Sequence, residues 1–394
     1  MPGLSDKTSD ETGLDGFQVF ERASELPEAW DRVLCDTGGT DHGLDGGAVY
    51  LTRAFLAFLE LVNPCGQRYM LNEALDVKFV TYRLRLNLLN FSRFGRLSVP
   101  ATVLGMPLSV SAPGFAARDE RGRAAMTAWI LRQIRGMTVI LNVPEGRDFS
   151  LPKGLTLSSY VLPLDFDGFE GYLGKMRSSY RRQVKRALEA FKKVEVVELG
   201  ELGKLRRSEN RTYSGNRTYS GTKFFEAPGL AARLVSEENE LFDEALYNLY
   251  LEVFHRSKDQ LEKLDIAYFR HFPGRTLYFV YQGEKVAFVQ IMDEQVPDGK
   301  LRHFVLGGFK SEFLVSLDLY RNLLYFLIQT AIEEGCCAIN LGQTAAESKA
   351  KTGGLEQIKH LYVAHSNPVL HLILGKLVKA FSYKRYETIH HVFK

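Results

Sequence analysis

The stretch that decides the fold runs from Lys300 to Gly354 and contains LRHFVLGGFK (301–310), SEFLVSLDLY (311–320), RNLLYFLIQT (321–330), AIEEGCCAIN (331–340) and LGQTAAESKA (341–350). Leu301 to Val305 reads as a strand. It ends at Gly307-Gly308, where missing Cβ atoms let a backbone bulge or approach a ligand closely. The long apolar run that follows reads as one helix, and the free N–H groups at its start suit an anion. Cys336 to Leu341 reads as a buried strand. Gly342 to Lys349 then sets a polar cluster at that strand's carboxyl end, where open α/β sheets bind ligands.

Working outward, Thr276 to Tyr281, Val286 to Met292 and Leu301 to Val305, separated by turns at Gln282-Gly283 and Pro297 to Gly299, form a meander of three strands. The same pattern stands earlier in the chain. Asp76 to Phe91, Leu97 to Leu104 and Leu108 to Ala112 read as a first meander, followed by a helix from Arg118 to Arg135 and strands Met137 to Val143 and Leu155 to Leu162. Between the halves, Asp165 to Lys193 places Phe169, Tyr172, Leu173, Met176, Tyr180, Val184 and Leu188 at spacings of three and four, the pattern of one amphipathic helix. Helices are also expected over Glu21 to Val33, Tyr50 to Val62, Leu241 to His255 and Lys258 to Arg270. The chain closes with a strand from Gln357 to His365 and, after the Asn367-Pro368 helix start, an amphipathic helix to about Tyr383. The expected organisation is a disordered tail over 1–20, a first domain over 21–165, a connecting basic helix over 166–193 and a second domain over 194–394. An exposed insertion at about 200–228 holds a six-residue repeat, Asn210 to Gly215 and Asn216 to Gly221.

The totals exclude several classes. At 394 residues the chain is long enough for two domains, and 45% hydrophobic with 25% charged residues is the balance of soluble globular proteins. A net charge of +3 demands no nucleic acid, and DNA is not an expected partner. Charge is uneven locally: Lys175, Arg177, Arg181, Arg182, Lys185 and Arg186 crowd one segment. Four cysteines at 35, 65, 336 and 337 form neither a zinc ligand set nor a disulfide framework, so no metal is assigned and a reducing, cytoplasmic setting is expected. Signal-peptide and membrane-spanning patterns are absent from the sequence.

The element order from about Val194 onward resembles the GNAT acyltransferase superfamily. The tandem pattern, with Arg177-Ser178-Ser179-Tyr180-Arg181-Arg182, resembles its FemAB-like branch, in which two GNAT-type units are fused. Leu319-Tyr320, Gly342-Gln343-Thr344 and Lys349 are similar to members known as acetyltransferases or as peptidoglycan biosynthesis and recognition proteins. The match covers most of the chain from Tyr50. It implies an α/β (α+β) fold of two tandem GNAT-like domains, each a mixed, mainly antiparallel twisted sheet flanked by helices. It also implies an N-acyltransferase that moves an acyl group from acyl-CoA to an amine of a small molecule or cell-envelope precursor. The alternative within the family takes aminoacyl-tRNA as donor and a peptidoglycan precursor as acceptor, and a third reading is a non-catalytic recognition module. Where the family's pyrophosphate loop has Gln or Arg and spaced glycines, this chain has Gly307 to Ser316.

Acyl transfer to an amine needs a neutral amine, donors at the developing oxyanion and a proton for the leaving group. Tyr320, His303 and Lys349 are the catalytic candidates. Gly307, Gly308, Lys310, Ser316, Gln343 and Thr344 are the candidates for holding the acyl-CoA donor, with Ser316 as a cap of the long helix. Arg177, Arg181 and Arg182 are the candidates for an anionic substrate, tRNA under the alternative reading. The basic terminal helix, with Lys376 and Lys379 beside Leu372, Ile373 and Leu377, leaves a peripheral membrane contact open.

Overall fold

The computed structural model describes residues 16–33, 46–87, 98–199, 206–207, 242–257, 263–386 and 388–394. The expected tail and most of the insertion at 200–228, with its repeat, lie outside them. Two eight-stranded, mainly antiparallel sheets flanked by helices make the fold. The first runs β1 (Gln18–Phe20), β2 (Arg68–Asn72), β3 (Val77–Asn87), β4 (Ser98–Leu104), β6 (Met137–Pro144), β16 (Lys359–His365) and β7 (Lys153–Leu155), with β5 (Phe115–Ala117) beside β3. The second runs β10 (Arg206–Arg207), β9 (Glu195–Leu199), β11 (Arg275–Tyr281), β12 (Glu284–Val296), β13 (Gly299–Phe309), β14 (Cys336–Asn340), β8 (Ser159–Pro163) and β15 (Leu355–Gln357).

The two sheets share one plan. Each has a three-stranded meander, β2-β3-β4 and β11-β12-β13, followed by one parallel neighbour, β6 or β14, and one further antiparallel strand. That last strand is exchanged. β8, from the first half of the chain, pairs with β14 over Val161 to Pro163, and β16, from the second half, pairs with β6 from His365↔Met137 to Lys359↔Pro144. The limits expected at 165 and 194 are therefore crossed by a strand in each direction. Apolar packing joins the halves as well: Phe55, Phe58 and Tyr69 share a core with Tyr250, Tyr268, Phe288 and Val305, and the Phe58 and Tyr268 rings lie 5.4 Å apart.

The second meander stands where the sequence places it, but the first begins one strand earlier. Arg68–Asn72 is its first member, and Leu108 to Ala112 is not a strand. Pairing decides this, because β4 takes β6 as its other neighbour. The expected helix from Asp165 to Lys193 is two helices, Gly168–Lys175 and Ser178–Phe191. At the break, Met176 leaves helical geometry to form an antiparallel bridge with Phe393, and the Arg177 N–H donates to the Val392 carbonyl. The Glu21 to Val33 region forms only the short helical turns Ala23–Glu25 and Ala29–Arg32. Thr52 caps the Arg53–Val62 helix, so the residues before it form a separate turn. Asn367 does cap the terminal helix, accepting from the Val369 and Leu370 N–H groups, and that helix ends at Leu377.

β13 does not end in a loop at Gly307-Gly308 but continues through both to Phe309. At Gly308 the strand touches the Glu244–Arg256 helix: a Cβ there would lie 2.5 Å from the Tyr250 nitrogen and 2.4 Å from the Phe288 ring. Packing at this density tolerates no added carbon. Gly308→Ala is expected to cost about 1–3 kcal/mol, read as a lower urea midpoint at unchanged slope.

Candidate functional site

At the centre of the second sheet β13 outruns its parallel partner β14, and the stretch past their last pair is termed the wedge. β13 and β14 pair in parallel only from Lys300↔Cys336 to His303↔Asn340. One residue later β13 carries a bulge: Phe304 faces Ile291 and Leu306 faces Gln290, which leaves Val305 as the extra residue. A bulge bends its strand and re-aims backbone groups, which is why bulges recur beside active sites. On the other side the chain after β14 turns to β8, with the Leu341 N–H donating to the Tyr160 carbonyl at 2.8 Å and the Tyr160 N–H donating to the Gly342 carbonyl at 3.2 Å. A Cβ on Gly342 would lie 3.3 Å from the Phe304 carbonyl oxygen, so the chain just past β14 still touches β13 there.

Lys349 stands at this apex. Gly342, Thr344 and Ala345 all have left-handed backbones, with φ of 75°, 61° and 47°. Two of these carry side chains, a cost that surrounding structure must offset. The sharp path turns the Ala346–Ala350 helix back over the strand end and buries Lys349, which is 2% exposed. Its Nζ donates to the Gln343 carbonyl and lies 3.7 Å from the Cβ position of Gly342. Burial lowers its pKa to about 7, and no carboxylate opposes that shift. A lysine in that range changes charge near neutral pH and can accept or return a proton.

Gln343 joins Lys349 but faces the first half. Its Nε2 donates to the Asn142 side-chain oxygen at 3.1 Å and to the Leu157 carbonyl at 2.6 Å. Asn142 lies two residues before the carboxyl end of β6 and Gln343 three residues past that of β14, so the corresponding ends of the two strands come together at this pair. Asn340 adds to the cluster by accepting from the Gly342 N–H at 2.9 Å and donating to Ser111 at 3.3 Å. Thr344 is exposed. Tyr320 lies in the first turn of the Leu319–Glu333 helix, half-buried, its ring 5.5 Å from that of Phe309. Burial raises its hydroxyl pKa well above the ordinary value, so it stays protonated at neutral pH. Tyr320, Phe304, Ala346 and Ala350 border the same apolar cluster.

His303 is placed differently. It is buried, and its Nε2 lies 2.7 Å from Glu294. The same carboxylate accepts from the backbone N–H groups of Gly47 at 2.6 Å and Ala48 at 2.9 Å, and the Tyr50 ring sits edge-on at 5.3 Å from the imidazole. Although burial raises it, the Glu294 pKa is held below the ordinary value by His303 and these N–H groups. The pair anchors the loop before Tyr50 onto the second sheet.

The turn after β13, where an anion was expected, is already occupied by carboxylates. The Ser311 N–H donates to Glu252 at 2.7 Å, and Lys310 is ion-paired to Glu284 with Glu312 at 3.6 Å. Ser316 is exposed at the end of the Phe313–Ser316 helix and is not the cap of the long helix; that position belongs to Asp318, held by Arg321. Gly307 and Gly308 give room to the Phe304 ring and to the neighbouring helix. On the basic segment, Arg177 donates from Nε to the Phe393 carbonyl at 3.1 Å and Arg181 reaches the Gly174 carbonyl at 3.5 Å, while Arg182, Lys185 and Arg186 are exposed.

Sequence reasoning missed Glu294, Asn142, Asn340, Glu252 and the Val305 bulge. Glu294 had a signal, the hairpin between β12 and β13 that sets it diagonally from His303. The others depend on contacts between distant segments. Among the described residues no group of His, Cys, Asp or Glu could hold a metal ion, and no helix is long and apolar enough to cross a membrane.

No family model and no curated protein matches this chain. Similar solved structures include L-PGS from Bacillus licheniformis, with 13% identity, a TM-score of 0.43, and coverage of 82% of this chain and 95% of that one. FemX shows 11% identity and a TM-score of 0.41 over 75% of this chain and 87% of its own. A tandem GNAT protein from the clavulanic acid biosynthesis pathway shows 9% identity and a TM-score of 0.38 over 89% and 99%. These are likenesses of overall fold at low identity, and the chemistry rests on the site's own geometry.

Proposed function

We propose that this chain is an N-acyltransferase that joins an acyl group to an amine in the wedge between β13 and β14. The observation that carries this reading is Lys349, buried at the apex with a pKa of about 7. In the reaction the acceptor nitrogen bonds to the acyl carbon, the bond from that carbon to the donor's sulfur or oxygen breaks, and the nitrogen's proton passes through Lys349 to the leaving atom. Backbone N–H groups at the Val305 bulge, past the last pair with β14, are the proposed oxyanion donors. Tyr320, whose hydroxyl stays protonated at neutral pH, is proposed as a second proton donor.

Acyl-CoA is the first donor to test, with a small-molecule or cell-envelope amine as acceptor. A specific observation favours the second donor, aminoacyl-tRNA: Glu252, Glu284 and Glu312 surround the turn that would meet a pyrophosphate, whereas Arg182, Lys185 and Arg186 present an exposed basic row. Calorimetry with acetyl-CoA and thiol release over an amine panel decide the first donor. Filter binding of aminoacyl-tRNA across a salt series decides the second, since counterion release weakens true binding steeply with salt. Absence of thiol release together with salt-insensitive tRNA retention would end the transferase reading.

A further inference from the structure

The Pro368–Leu377 helix is built with its apolar side outward. Val369, Leu370, Leu372, Ile373 and Leu377 are 65%, 44%, 61%, 45% and 44% exposed. These five are half of the ten large hydrophobic residues exposed among the described residues. The inner side is narrow: Leu374 and Val378 pack with Leu361 and Val363 of β16, and a Cβ on Gly375 would lie 3.1 Å from Pro152. At about 100° per residue the five exposed side chains share one arc of roughly 160°, opposite His371, Leu374 and Gly375. A patch of this kind on a soluble fold marks an interaction surface.

The charge around the patch identifies what covers it. Residues 358–386 contain no Asp or Glu, yet include Lys376, Lys379, Lys384 and Arg385. Arg385 is tied to Glu356, while Lys376, Lys379 and Lys384 are exposed. A second copy meeting this face across a two-fold axis would set its own lysines against these ones. A bilayer with anionic headgroups accepts both features, because the leucines and isoleucine enter the acyl boundary and the lysine stems reach back to the phosphates.

We propose that this helix docks the protein on an anionic lipid surface, with Leu372, Ile373 and Leu377 inserted and Lys376 and Lys379 on the headgroups. Co-sedimentation of the full chain with phosphatidylcholine vesicles, with and without phosphatidylglycerol, tests it. Binding is expected on the anionic vesicles, at least about tenfold tighter than on the neutral ones. Lys376→Gln with Lys379→Gln lowers it roughly thirtyfold, and Leu372→Ser with Ile373→Ser lowers it by a comparable factor through lost apolar area. All four positions are exposed, and thermal unfolding of the variants verifies that the fold persists. Equal retention on both vesicle types, or none on either, overturns the proposal. A concentration-dependent dimer in sedimentation equilibrium that Leu372→Ser dissolves would also overturn it, by assigning the face to a second copy.

Discussion

Lys349→Met is expected to lower the rate of the proposed acyl transfer by about two to four orders of magnitude, the range spanned by a positioned acid–base group. Methionine fills the space of the lysine stem without its amine, so packing around the Ala346–Ala350 helix is kept. If Lys349 carries the proton, the native rate, as kcat/KM, is expected to rise with pH through about 7. The variant's residual rate lacks that step. Stability moves the other way between the two proteins. An unfolded lysine titrates near 10.4, so between pH 7 and about 10 the unfolded native chain holds a proton that the folded chain has released, and native stability climbs with pH. The methionine variant lacks this dependence, so its stability relative to the native protein is expected to be greatest at pH 6 and to fall as pH rises. An unchanged rate in Lys349→Met would remove this residue from the chemistry.

The second large effect lies on the opposite face of β13. Arg302 is fully buried and pairs with both oxygens of Asp293, at 2.8 Å each, and with Glu334 at 2.5 Å; Arg275 holds Glu334 from its other side at 2.9 Å. Burial would raise both carboxyl pKa values, but the Arg302 guanidinium holds each below its ordinary range, with Arg275 adding to the effect. Arg302→Met leaves two carboxylates without their main partner and is expected to cost about 3–5 kcal/mol at pH 7. The sign with pH follows. Groups with depressed carboxyl pKa values stabilise the native fold above about pH 4 and lose that contribution as pH falls through their folded values. The deficit of Arg302→Met should therefore narrow on acidification. Denaturant titrations of both proteins at pH 7 and at about pH 2, below the lowered carboxyl values, measure it, and an equal deficit at the two values would show that the loss is one of packing.

Much of the local order was legible. The alternation in β11 and β12, the turn at Gln282-Gly283, the apolar run of the Leu319–Glu333 helix and the Asn367 cap are written in short-range spacing, and each stands where that spacing puts it. Errors fell where a distant segment intervenes. Phe393 breaks the expected helix at Met176, β6 takes the place beside β4, and β13 runs on through two glycines because its pairing with β12 continues to Phe309. Part of the site was legible for the same reason: a polar cluster after a buried strand marks Gln343 and Lys349, whereas nothing near His303 in the chain reveals its link to the loop at Gly47.

The sequence by itself determined the meander, long helix and strand between 275 and 340, because strand and helix periods are properties of neighbouring residues. Only the tertiary structure decided that β8 and β16 change places between the halves, that β13 bulges at Val305 just past its last pair with β14, and that Lys349 is buried rather than solvated. Those outcomes depend on pairings across two hundred residues and on what covers a side chain. A lysine's proton affinity is set by that covering, which no local pattern records.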